Sequence, residues 1–178
     1  MPSSRLTVIS HKHEPVAQAH VVLVARNGTF IEGTTDGKGT VTLALPDNRV
    51  GTLFIGHPEH RAVLQPDFIP EDAHTLTLKK EHHTGSVVFT LSTGNIPGLH
   101  GRLNPIQDTS MRTYIYGDNV AFNDQATQPH AFTKKEAFIA EDALRHRFKV
   151  TVLEIIGRTS LLEFQEVRRG QSKGEDQD

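Results

Sequence analysis

PVAQAHVVLVARNGTFIEGTTDGKGTVTLALPDNRVGTLFIGHPE, residues 15–59, is the stretch that decides the fold. Ala19, Val21, Leu23 and Ala25 alternate with His20, Val22, Val24 and Arg26, a period of two with one wholly apolar side. That period suits a strand buried on one face and partly covered on the other. Asn27-Gly28 turns the chain, and Thr29 to Thr34 is β-prone. Asp36-Gly37-Lys38-Gly39 supplies residues that tolerate positive φ, and Val41, Leu43 and Leu45 alternate beyond it, so the two runs read as a hairpin. Pro46-Asp47-Asn48 closes that hairpin, and Gly51 to Gly56 resumes as a strand with Leu53 and Ile55 on one side.

Outward from this stretch, Leu6 and Val8 mark a first strand, residues 61–70 an irregular crossing, and Thr75–Leu78 a last alternating strand. Lys79–Gly85 is polar and ends in glycine, which suits a short link between compact units. Its adjacent His82 and His83 are expected to point opposite ways on an extended chain. Val87–Leu91 is again strand-like, but residues 92–112 show no periodicity and hold three glycines and two prolines. An aperiodic run of that length inside a compact domain is expected to be an ordered loop, here pinned by Ile96, Leu99, Leu103 and Ile106. A short strand at 136–140, a turn through 141–146 and strands at 147–155 and 160–165 complete the reading. The alternative for 133–147 is a helix, because Thr133–Glu136 has a capping-box pattern. The resulting expectation is an all-β protein with at most one short helix. It comprises an N-terminal β-sandwich over 4–82, a small antiparallel β-barrel or sandwich over 83–168 with its long loop at 92–112, and a disordered polar tail at 169–178.

PVAQAHVVLV, TTDGKGTVTLALPD and GTLFIGHPEHRAV together resemble the carboxypeptidase regulatory-like domain, a transthyretin-like (Ig-like) β-sandwich, over roughly residues 5–80. The shared pattern is Pro-Val-x-x-Ala-x-Val, then Thr-Asp-x-x-Gly, then a strand ending at His-Pro. Where that family continues with Gly-Tyr, this chain has Glu59-His60. The resemblance implies a scaffold without catalysis. One branch of the transthyretin-like fold hydrolyses a ureide ring and ends in Tyr-Arg-Gly-Ser, a motif this chain lacks.

The 178 residues carry a formal net charge of −2 with 19 Lys+Arg against 21 Asp+Glu, and the two signs are balanced in each half. No half has the basic excess of a nonspecific nucleic-acid binder. There is no cysteine, which excludes disulfides, thiolate ligands and a cysteine nucleophile. The N-terminal residues MPSSRLTVISHKHE lack the apolar run of a signal peptide, and nowhere do 18 apolar residues follow one another. A soluble, cytoplasmic protein without membrane contact or cofactor is expected.

Three sets of residues draw attention. His100, Arg102, Asn104 and Asp108 in the loop, with Arg112, Tyr114 and Tyr116 after it, form the expected contact surface for a protein partner. Tyr114 and Tyr116 fall two apart, so a strand puts both rings on one face, and tyrosine offers apolar area and a hydroxyl at low entropic cost. His11 with His13, and His57 with His60, are candidate metal ligands, with polar-turn readings beside them; Pro58 excludes a helix that would set the second pair together. Ser110, His100 and Asp108 have the residue types of a hydrolase triad, but no Gly-x-Ser-x-Gly elbow accompanies them. The expected function is a non-catalytic adaptor or accessory subunit docking a protein through the 92–119 loop and tyrosine face. The alternatives are a small-molecule hydrolase of the transthyretin-like type and a self-assembling β-protein pairing through exposed sheet edges.

Overall fold

A computed structural model describes residues 3–44 and 50–168, so the closing turn at 46–48 and the tail at 169–178 lie outside the described residues. The first half holds β1 (Ser3–Ser10), β2 (His20–Val24), β3 (Phe30–Thr34), β4 (Thr40–Ala44), β5 (Gly51–His57), β6 (His60–Phe68) and β7 (Ala73–Leu78). The second holds β8 (Thr84–Phe89), β9 (Arg102–Gln107), β10 (Thr113–Asp118), β11 (Val120–Phe122), β12 (His130–Ala131), β13 (Phe138–Asp142), β14 (Arg147–Ile156) and β15 (Thr159–Glu166). The protein is all-β, and the helix considered for 133–147 does not form. Among the described residues no helix is long and apolar enough to cross a membrane.

Two sheets face each other in the first half, in the orders β4-β1-β7 and β3-β2-β5-β6. Between them lies a core that includes Leu6, Val8, Val21, Leu53, Ile55 and Leu78. β1 is antiparallel to β4 but parallel to β7, a long-range pairing that no local pattern announces. The run from Thr29 to Ala44 is not a hairpin, because β3 pairs with β2 while β4 pairs with β1 in the other sheet. Thr35 explains the departure. Its buried hydroxyl donates to Val16 O and accepts from the Ala19 N–H, fixing the chain where it leaves one sheet for the other. The expected crossing at 61–70 is also corrected: β6 returns directly along β5, with His57 paired to His60 across the turn.

In the second half the sheets run β11-β13-β14-β15-β8 and β12-β10-β9 around a core that includes Phe89, Leu103, Ile115, Phe122, Phe148 and Val152. No barrel closes, leaving the sandwich of the two expected alternatives. The loop expected at 92–112 contains β9. Pro105 disguised it, since proline cannot donate to a ladder; β9 is the edge strand of its sheet, with β10 on one side and only a bridge from Leu103 to Gly94 on the other, so a missing N–H at Pro105 is tolerated. Of the four residues expected to pin the loop, Ile96, Leu99 and Leu103 are buried and Ile106 is half-buried.

The halves meet through a third apolar cluster, in which Val22, Val24 and Phe54 from β2 and β5 pack against Val88 and Leu161 from β8 and β15. β2 is thus apolar on both sides because both are covered. Glu163 reinforces this contact: it accepts from Arg61 Nε at 3.1 Å and from the Ala62 N–H at 2.9 Å. Phe54 is 0 % exposed at the centre of the cluster. Phe54→Ala should therefore cost about 3–5 kcal/mol in urea denaturation, and a loss below about 1 kcal/mol would mean that the two halves do not depend on this contact.

Candidate functional site

The loop that leaves β8 returns to the molecule beside the turn between β13 and β14. Ile96 and Leu99 anchor it in the core, and Gly98, at φ +92, runs so close to Phe148 that an added Cβ would lie 3.0 Å from the ring. His100 follows directly and emerges at the surface, where its backbone N–H donates to Asp142 Oδ2 at 2.7 Å.

Asp142 organises what surrounds it. Its side chain is 0 % exposed. Oδ1 accepts from the backbone N–H groups of Leu144 at 2.9 Å and His146 at 2.8 Å, closing the turn in which Arg145 takes φ +72. Oδ2 takes the His100 N–H and also pairs with His146 Nδ1 at 2.9 Å. Burial pushes the carboxyl pKa up, but the backbone N–H groups of His100 and His146, with the His146 ring, outweigh it and hold the group at about 2. An ionised carboxylate only accepts hydrogen bonds, so His146 Nδ1 carries the proton in this contact. The lone pair of the neutral ring then sits on Nε2, free to take a proton or a ligand.

The two imidazoles lie together, with ring centroids 4.9 Å apart and planes 31° apart. One donor atom from each of His100, Asp142 and His146 falls within 4.8 Å of the others. Charges on the flank are matched locally: Arg147 donates to Asp124 at 2.7 Å and Glu141 at 3.2 Å, and Arg145 reaches Glu141 at 3.4 Å. A groove of about 600 Å³ elsewhere, lined by Arg61, Glu81, Lys149 and Glu163, includes neither histidine. Arg61 there is already committed to Glu163 and Glu81.

The residues expected to form one contact surface separate into three places. Asn104 and Arg102 on β9 stand opposite Tyr116 and Asp118 on β10, and the Tyr114 and Tyr116 rings do share a face, 6.1 Å apart. Arg102 also donates to Thr93 Oγ1 at 3.0 Å. Asp108 and Arg112 instead close the β9–β10 turn: Asp108 accepts from the Ser110 and Arg112 N–H groups and from Arg112 Nε, each at 2.9 Å. His100 belongs to the Asp142 cluster, so the triad of Ser110, His100 and Asp108 has its carboxylate engaged in its own turn. His57 and His60 do come together, through a tight turn and not a helix, with rings 4.7 Å apart. Both nitrogens of His57 are engaged: Nε2 meets Ala17 O at 3.0 Å, and Nδ1 receives the Glu59 N–H and contacts His60 Nδ1 at 3.1 Å. His11 and His13 stay in an exposed turn. His82 and His83 do not diverge; φ +52 at His83 folds their rings to 4.2 Å.

Asp142 and His146 were not singled out in sequence. Their only local signal is an aspartate four residues before a histidine within a segment read as a turn, and the approach of His100 comes from across the sandwich.

This is an all-β protein whose best-formed polar site is a histidine pair held by one buried carboxylate. No family model and no solved structure matches the chain. The chain is 30% identical over 159 residues to a protein of Aquimarina amphilecti named 3' cyclic ADP-D-ribose synthase AaTIR. The match covers 89% of this chain and 48% of that protein, so the chain spans about half the length of its relative. The relative is named as an enzyme, and likeness over nearly the whole chain overturns the expectation of a non-catalytic adaptor docking a protein through residues 92–119. As labels, adaptor, protein binding and carboxypeptidase regulatory-like give way to the relative's enzymatic name; that name has no bearing on the resemblance in strand and turn order over residues 5–80.

Asp142 should make the fold acid-sensitive. Its folded pKa of about 2 lies below the ordinary 3.8, so its stabilisation is complete above that ordinary value and is lost as pH falls from there towards 2. The contribution at neutral pH is roughly 2 kcal/mol. In urea denaturation the stability gap between wild type and Asp142→Asn should narrow across that window. A gap unchanged between pH 5 and pH 2 would contradict this account.

Proposed function

We propose that this chain is the all-β part of an enzyme that forms a cyclic ADP-ribose. The observation carrying the reading is the extent of likeness to the Aquimarina amphilecti synthase: 159 matched residues exceed either half of the chain, so the likeness runs through both sandwiches and the cluster joining them. A module retained in that way works as one body, because the third apolar cluster ties the two halves together.

The His100–Asp142–His146 cluster is the part of this chain best equipped for chemistry. Its ionised Asp142 holds the His146 ring at Nδ1, which leaves the Nε2 lone pair of that ring available to a ligand.

The test uses the polypeptide in which this chain is naturally encoded, purified intact. It is incubated with nicotinamide adenine dinucleotide as the ADP-ribosyl donor, and the products are separated by chromatography and identified by mass. A product equal to the donor less nicotinamide, without added water, is expected. Recovery of unchanged dinucleotide, or of linear ADP-ribose alone, overturns the reading.

A further inference from the structure

We propose that His100 and His146 form a binding site for a divalent transition-metal ion of the zinc class, with Asp142 as the residue that positions both. One donor atom from each of the three residues lies within 4.8 Å of the others, and the two imidazole centroids are 4.9 Å apart, so both rings stand at one place on the surface. His100 is exposed, and neither of its ring nitrogens has a hydrogen-bond partner among the described residues. His146 Nδ1 is occupied by Asp142, which fixes the ring and leaves Nε2 as the ligand atom. Metal-binding histidines characteristically give their other N–H to a carboxylate or carbonyl, which sets the tautomer and raises ligand basicity.

Asp142 acts on both histidines. Its Oδ2 holds the His146 ring at 2.9 Å and the His100 backbone at 2.7 Å, while Oδ1 fixes the turn that carries His146. With four hydrogen bonds already accepted and no exposed surface, it is a positioning residue and not a third ligand. The other close histidine pairs lack this arrangement. His57 has spent both of its nitrogens, on Ala17 O and on the Glu59 N–H and His60, so that pair offers at most the Nε2 of His60. His82 and His83 pack against each other with no carboxylate holding either ring among the described residues.

Two imidazoles suit zinc, copper or nickel more than magnesium or calcium, which prefer oxygen. Two protein nitrogens leave coordination positions open, so the ion would keep water or take an anionic oxygen ligand such as a phosphate.

The experiment is a calorimetric titration of the full chain with zinc chloride against a competing chelator, together with long-range proton–nitrogen NMR of the imidazoles. One zinc per chain is expected, with the His146 Nδ1–H tautomer present beforehand and the Nε2 resonance shifting on binding. His100→Ala and His146→Ala should each weaken binding at least tenfold, and Asp142→Asn by about 10- to 100-fold. A His82→Ala and His83→Ala double variant should bind as wild type does. If Asp142→Asn does not fold, the two surface histidine variants decide the question. Absence of zinc binding, or binding unchanged in the His100→Ala and His146→Ala double variant, overturns the proposal. It stands apart from the nucleotide-forming reading: cyclic product without zinc binding sinks only the metal site, and zinc binding without product sinks only the activity.

Discussion

The sheet of β2, β3, β5 and β6 is covered on both faces, and the rest of the molecule is arranged to keep it so. One face closes the first sandwich through Val21, Leu53 and Ile55; the other meets β8 and β15 through Val22, Val24 and Phe54. Burying both faces of a central strand contributes about 25 cal/mol for each Å² of apolar surface removed from water, and it demands close approach of backbones. Glycine supplies that approach twice. A Cβ at Gly56 would stand 3.0 Å from the Val87 backbone, and one at Gly85 would stand 2.1 Å from Pro58 O. At the edge of this contact Glu163 carries a charge in from β15 and satisfies it on Arg61 and the Ala62 N–H, so the junction holds a polar pair without an orphaned carboxylate.

Asp142 solves a similar problem at smaller scale and turns the solution into a site. A buried carboxylate is costly unless each oxygen is met by donors, and here the turn that follows β13 supplies two N–H groups and a ring, while the 92–101 loop supplies the fourth. Satisfying the carboxylate therefore requires the loop to dock. Once it docks, His100 must stand beside His146. The histidine pair is in this sense a consequence of how one charge is buried.

Likeness through nearly the whole chain to a protein named as a cyclic ADP-ribose synthase removes the ground for an adaptor surface here. Tyr114 and Tyr116 do share a face, but the polar residues expected to join them there are divided among a strand, a turn and the Asp142 cluster. A contact surface assembled from sequence neighbours gives way to a site assembled across the sandwich.

Local sequence determined the strand content, because period-two alternation and turn residues are properties of neighbouring residues: β2, β8, β14 and β15 are all legible in this way. It also placed the pinned loop, through Ile96 and Leu99, and the outward tyrosine pair. It misjudged the partners of strands. The Asp36–Gly39 turn looks like a hairpin turn, yet β3 and β4 pair in different sheets, since Thr35 anchors the crossing through groups 16 to 19 residues away. The parallel pairing of β1 with β7 and the edge strand hidden by Pro105 were likewise invisible. The site lay beyond local reading for the same physical reason: Asp142 reaches His100 across 42 residues, and only packing of the loop against Phe148 brings them within a hydrogen bond.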